Sequence, residues 1–160
     1  MELNTDKLVY RKMDENDLDI FVKLRLDFLS ELNKDLTEKN KVLIIDSLRK
    51  YYVKHLLANE FIGIICEYNR IVLSTAFLAI NEKPANNNFI NGKVGMLLNV
   101  YTYPKYRKNG ISTKIMEIMI KEAKEQNVSE IELIATNDGE KLYYKFGFNE
   151  PEMKYMKLKI

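Results

Sequence analysis

The stretch Pro104-Lys105-Tyr106-Arg107-Lys108-Asn109-Gly110-Ile111-Ser112-Thr113 is the part of the chain best suited to chemistry. It joins an apolar segment to the most regular amphipathic run in the sequence. The first N–H groups of a helix have no partners within it, and the helix dipole places partial positive charge there. Such an end suits a phosphate. Arg107 and Lys108 add charge, Ser112 and Thr113 add hydroxyls, and Gly110 leaves the backbone open. The same residues also read as a basic turn capped by Asn109 or Ser112. The turn is neither a GxxxxGK[ST] nucleotide loop nor a GxGxxG fingerprint. Other reactive side chains are few. His55 has no Ser or Cys partner in view and reads as a surface or interfacial residue, against a hydrolase triad. Cys66 sits in a β-branched run and reads as a small buried hydrophobe. One His and one Cys nearly exclude a Cys/His zinc site.

The elements that position this turn follow from periodicity. Leu8–Met13 reads as a first strand. Asp17 is expected to cap a helix over 18–32, with Leu18, Phe21, Val22, Phe28, Leu29 and Leu32 on its buried face. Asn33-Lys34-Asp35 breaks it. Thr37 caps a second helix reaching about Leu57, with Ile44, Ile45, Leu48, Tyr52 and Leu56 as its stripe. Phe61–Glu67 and Ile71–Ile80 are β-branched and aromatic, and 68–70 between them implies a hairpin. An Asn-rich loop over 81–93 precedes a nearly apolar strand, Val94–Thr102, expected inside the sheet. Ile111–Gln126 is the clearest helix, and Glu130–Ala135 alternates as a strand. The order strand, helix, strand implies a parallel crossover. A short helix at 140–146 ends at Gly147, and Met153–Leu158 alternates as a last strand.

The chain has 160 residues, 46% hydrophobic and 30% charged, which fits one folded α/β domain over 1–160. Lys+Arg 25 against Asp+Glu 23 are interspersed, so no basic stripe points to nucleic acid. The tyrosines at 51, 52, 101, 103 and 106 could stack on bases, but lack that stripe. No apolar run is long enough for a membrane span. Met1–Asp6 lacks the features of a secretory signal, and one cysteine suits a reducing compartment, so a cytoplasmic protein is expected.

Two motifs carry a family resemblance. Thr102-x-Pro104-x-Tyr106-Arg107-x-x-Gly110-Ile111-Ser112 resembles the acyl-CoA turn Q/R-x-x-G-x-G/A of the GNAT superfamily of N-acyltransferases, with Ser112 at the last small position. Ala135-Thr136-x-x-Gly139-x-x-Leu142-Tyr143-Tyr144-Lys145-Phe146-Gly147-Phe148 resembles the family's later motif A-x-x-L-Y-x-K-x-G-F, with Gly139 at the Ala position. Pro151–Lys154 is similar to its terminal strand. The first 60 residues match in style alone.

The resemblance implies a mixed sheet, flanked by helices, in which a bulge splays two parallel strands to admit acetyl-CoA. It places Val100, Tyr101 and Thr102 beside the pantetheine. The pyrophosphate falls to the backbone of Arg107, Lys108, Asn109, Gly110, Ile111, Ser112 and Thr113, with Asn137 nearby. No metal is needed. Tyr143 falls on the family's general-acid tyrosine, which assists departure of the CoA thiolate, while Tyr144 faces elsewhere. The general base is open. No Asp or Glu lies between Glu82 and Glu117. Asn99 and Tyr101 can orient a water, Glu31, Asp27 or Glu82 could reach the acceptor side, and a water chain is the default. Glu31 and Glu82 are the candidate substrate contacts. The expected activity is acetyl transfer from acetyl-CoA to a primary amine in a ternary complex. The other reading is an acyl-CoA-binding sensor or scaffold with little turnover. Polyamines, amino acids, aminoglycosides, small peptides and protein amines all stay open as acceptors, and a homodimer is possible.

Overall fold

The computed structural model describes residues 3–32 and 36–160. Five strands stand side by side in chain order: β1 (Val9–Lys12), β2 (Phe61–Tyr68), β3 (Ile71–Glu82), β4 (Lys93–Thr102) and β5 (Glu130–Leu133). The first three pairings are antiparallel and the last, β4 with β5, is parallel. The β2–β3 hairpin closes on Asn69 and Arg70, whose φ values of 50° and 66° suit the two-residue turn that matches strand twist. A parallel pair cannot be joined by a tight turn, so β4 and β5 are linked through a helix.

That helix, α3 (Ile111–Glu125), covers one sheet face. Ile111, Ile115, Met116, Met119 and Ala123 are buried against Ile62, Ile64, Leu78 and Leu97. Each large side chain buried in full contributes about 1.5–3 kcal/mol. The other face carries α1 (Leu18–Leu32) and α2 (Glu38–Leu57), whose core is aromatic: Phe21, Tyr52, Phe61 and Phe77. Thr37 caps α2 as expected, accepting from the Asn40 N–H at 3.2 Å. A short α4 (Glu140–Lys145) ends before Gly147, which has φ +86° and terminates the helix as read from the sequence.

Three expectations are corrected. Asp17 does not cap α1. It closes a 3₁₀ turn, Glu15–Asp17, capped by Asp14, and its buried carboxylate takes both Nη atoms of Arg11 at 2.6 and 2.8 Å. Arg11 also grips Glu67 on β2, so this ion pair ties β1 to its neighbours. The strand expected at 153–158 is absent: Met153, Tyr155, Met156 and Leu158 are exposed and unpaired. Alternation marks two faces, but a strand also needs a neighbour to bond with. Leu32, expected in the core, is half exposed. The helix break at 33–35 lies outside the described residues. Among those residues, no helix is long and apolar enough to cross a membrane.

Candidate active site

The site begins with an irregularity in β4. Leu98 pairs with Phe77 and Tyr101 with Thr75, so Asn99 and Val100 share the place opposite Ala76. This is a β-bulge, with two residues facing one. Asn99 takes φ +54°, which asparagine tolerates better than most side chains. Its buried amide donates to Leu24 O at 3.3 Å. On its other side β4 pairs with β5 only from Val94 to Leu97. From Leu98 to Thr102, β4 runs on beside β3 with no strand paired on the β5 side, and the sheet opens there.

Hydroxyls and one arginine fix the end of β4. Thr102 Oγ1 lies 2.6 Å from Ser74 Oγ and 2.8 Å from Ser112 Oγ, which ties β3, β4 and the start of α3 together. Arg107 Nε donates to Thr102 O at 2.8 Å, and its Nη2 reaches Glu31 on α1 at 2.5 Å. Arg107 holds the Glu31 carboxyl below the usual carboxylate range.

A cavity of about 750 Å³ fills the opening, within the range of small-molecule and cofactor sites. Val100, Tyr101 and Thr102 form one wall, and Arg107, Lys108, Gly110, Ile111, Ser112 and Thr113 another. Gly110, with φ +74°, begins α3 without a side-chain cap, and a Cβ there would meet only open space. No acidic residue occupies the first turn of α3. Its amide end therefore faces the cavity with favourable charge for an anion. Asn109 is outside the lining, its amide turned back onto Tyr106 O and Arg107 O.

Tyr143 lines the opposite wall from α4. Its ring packs edge-on against Phe148 at 5.8 Å. Among the described residues its hydroxyl has no hydrogen-bond partner, and burial pushes its pKa up. Gly139 gives this ring its room: a Cβ there would lie 2.9 Å from Tyr143 Cε2. Tyr144 points away, half exposed, with its hydroxyl donating to Glu150 at 3.1 Å.

Of the residues singled out from sequence, Glu31 lies on the cavity wall, whereas Asn137 and Glu82 do not. Asn137 is an exposed turn residue between Thr136 and Asp138, which do line the cavity. Glu82 pairs with Lys93 at the far end of β3, about eight residues or roughly 26 Å from the Ser74–Thr102 end. Asp27 is engaged by Lys23 and by the Tyr103 hydroxyl. The sequence reading missed Phe28 and Leu32, which line the cavity from the last turns of α1. Their periodicity is the same as that of the buried residues before them, so spacing alone could not separate them.

The family model described as "Acetyltransferase (GNAT) family" matches residues 21–148. A predicted acetyltransferase from Clostridium acetobutylicum, solved with acetyl-CoA, is 29% identical, with a TM-score of 0.84 over 95% of this chain and 96% of that one. A GCN5-related N-acetyltransferase from Ralstonia eutropha JMP134 shares the fold at 22% identity and a TM-score of 0.81, covering 94% and 98%. The aminoglycoside N-acetyltransferase AAC(6')-Iy, solved with CoA, shares it at 16% identity and 0.71, covering 95% and 94%. No curated protein matches. With a family match spanning most of its length and a split sheet of the same architecture, this chain belongs to the GNAT acetyltransferase family.

Proposed function

We propose that this protein is an N-acetyltransferase that takes acetyl-CoA in the split between β4 and β5 and acylates a primary amine by direct attack. The observation that carries the proposal is the meeting, in one cavity, of the uncapped amide end of α3 with the unpartnered hydroxyl of Tyr143. Acetyl-CoA supplies an activated thioester. The N–H groups of the first turn of α3, with Arg107 and Lys108 beside them, hold its phosphates, and the free edge of Val100–Thr102 accompanies its amide arm. The Cβ-free space at Gly110 is compatible with close approach of a bulky anion.

Tyr143 serves as the proton donor to the departing sulfur. Its raised pKa keeps the phenol protonated through neutral and mildly alkaline pH, as a general acid requires. The attacking amine must be neutral, and an alkylammonium has a pKa near ~10.4. Glu31 is a weak base because Arg107 holds it ionised, and it serves instead as a negative contact on the acceptor side. Amine deprotonation through water is the remaining route. The rate is therefore expected to rise with pH toward the amine's own pKa, and Glu31→Gln should leave that rise in place.

A specific observation supports a second reading, an acyl-CoA-binding module with little turnover: none of the strand residues from Lys93 to Thr102 is a carboxylate. Release of CoA thiol from acetyl-CoA, measured with a panel of amines, separates the two. Amine-dependent thiol release establishes the transferase. Tight acetyl-CoA binding by calorimetry without any amine-dependent release establishes the binding module.

A further inference from the structure

The arginines of this chain are compensated unequally. Arg11 meets Asp17 and Glu67, Arg49 meets Asp19, and Arg107 meets Glu31. Arg70 is exposed on a hairpin turn, where water solvates it. Arg25, on α1, is half-buried, and among the described residues no carboxylate lies within ion-pair distance of it. Its side-chain bond is a long one, 3.3 Å from Nη1 to Asn99 Oδ1, and its guanidinium lies 5.8 Å from the Phe28 ring centre. Burial works against its charge, and the hydroxyl of Tyr51 opposes this. Arginine keeps its proton and carries five N–H donors, so it cannot relieve the cost by neutralising.

The acids that follow Arg25 on α1, and Glu60, are committed elsewhere. Asp27 is held by Lys23 and Tyr103, Glu31 by Arg107, and Glu60 by His55 at 2.7 Å. The position of Arg25 is also specific. Asn99, which orients it, is the bulge residue next to Val100 and Tyr101 on the cavity wall. The Asn99 amide is itself fixed by its bond to Leu24 O, which aims Oδ1 at the guanidinium. Arg25 is not itself among the residues that line the cavity; Phe28, the ring beside it, does line it and packs edge-on to Tyr101 at 5.9 Å.

We propose that Arg25, at the border of the cavity beside Phe28, forms an anion subsite reached from it, and that the acceptor is a small amine that also carries a carboxylate. The planar guanidinium fork, with most of its donors unfilled, matches a carboxylate in two parallel hydrogen bonds. Phe28 and Asn99 flank that fork, and the ligand supplies the counter-charge that it lacks among the described residues. This inference rests on the acetyltransferase reading above.

The test uses the full chain with acetyl-CoA and a panel of α- and ω-amino acids, each paired with its carboxamide. The wild type should favour the acids by about tenfold or more in kcat/KM, the discrimination expected of a buried charge-assisted pair. Arg25→Gln should reduce that preference to about twofold or less and leave the KM for acetyl-CoA unchanged, which also shows that the variant folds. Arg25→Lys should keep part of the preference. Equal loss for acids and amides in Arg25→Gln, or no preference in the wild type, overturns the subsite. Binding of N-acetylglycine against N-acetylglycinamide, followed by NMR in the presence of CoA, reads the subsite without turnover. Acetylation of amines with no carboxylate preference sinks the subsite and leaves the transferase standing. Arg25-dependent binding of N-acetylglycine with no acetylation of any amine does the reverse.

Discussion

The two faces of the sheet are built to different standards. On one, α3 turns Ile111, Ile115, Met116, Met119 and Ala123 inward, all at most 2% exposed, and starts at the wall of the cavity. On the other, α2 is longer but buries Tyr52 alone, and it leaves Val42, Leu43, Val53 and Leu57 largely in solvent. The α3 face presents the helix end proposed for the cofactor, whose chemistry is fixed. The α1–α2 face borders the side proposed for the acceptor, where a loosely packed helix can change its surface at little cost in stability. Tight packing positions a helix end to within fractions of an ångström, and anion binding by backbone amides needs that.

This contrast can be broken in several places. Ile115→Ala opens a void in the α3 face and should lower stability by about 2–5 kcal/mol in denaturant titration. A cost near zero would mean that the face is not the rigid one. Tyr143→Phe keeps the ring against Phe148 and removes the hydroxyl. Steady-state kinetics should show kcat down about tenfold to several hundredfold with acetyl-CoA affinity unchanged, and Tyr144→Phe nearly silent. Full activity in Tyr143→Phe would return that residue to packing.

The α1 side has one strong anchor, the Arg11–Asp17 pair. Asp17→Asn should cost about 1.5–3 kcal/mol at neutral pH. Arg11 lowers the Asp17 pKa in the fold, so its contribution is complete above the unfolded value near ~3.9 and is lost as pH falls through the folded value. Acid titration of the Asn variant should therefore show a shallower loss of stability below about pH 4 than the wild type does. Gly110→Asp puts a negative side chain at a position with φ +74° and should weaken acetyl-CoA binding about tenfold or more by calorimetry. The smallest effect should come from Leu43→Ala on the exposed side of α2, within about 0.5 kcal/mol of wild type. A larger loss there would show that this surface is covered by something in solution.

Much of this architecture was legible because local physics and tertiary demand agree. Apolar spacing fixed α3, the capping hydroxyl of Thr37 marked the start of α2, and Asn69-Arg70 marked the hairpin. The bulge was implied by family resemblance but carries no local signal: Asn99 sits within an apolar run, and its φ depends on hydrogen bonds to α1. Asp17 was misread because an acid before a helix looks like a cap, and its true partner, Arg11, belongs to the preceding strand. The last strand failed because pairing is not encoded in the segment that alternates. Phe28 on α1 was invisible as a cavity residue, since only the packing of α1 against the bulge brings it beside Tyr101, and the proposed role of Arg25 rests on that same packing.

The sheet order also bears on how the molecule assembles. From β2 through β4 each strand pairs with the next along the chain, and the β2–β3 turn is two residues long. β1 is different: between Lys12 and Phe61 the chain makes an excursion of about fifty residues through α1 and α2 before β1 meets β2. Closing a loop of that length costs about 3 kcal/mol more than closing a two-residue turn. We expect the meander to form first, with α3 able to dock on it, and β1 to arrive late, bringing α1 with it. Arg11 then fastens the excursion at its root through Asp17 and Glu67. In hydrogen exchange the amides of β1 should open before those of β3. The wall that carries Phe28 and Glu31 would then come and go with them, while the amide end of α3 stays in place.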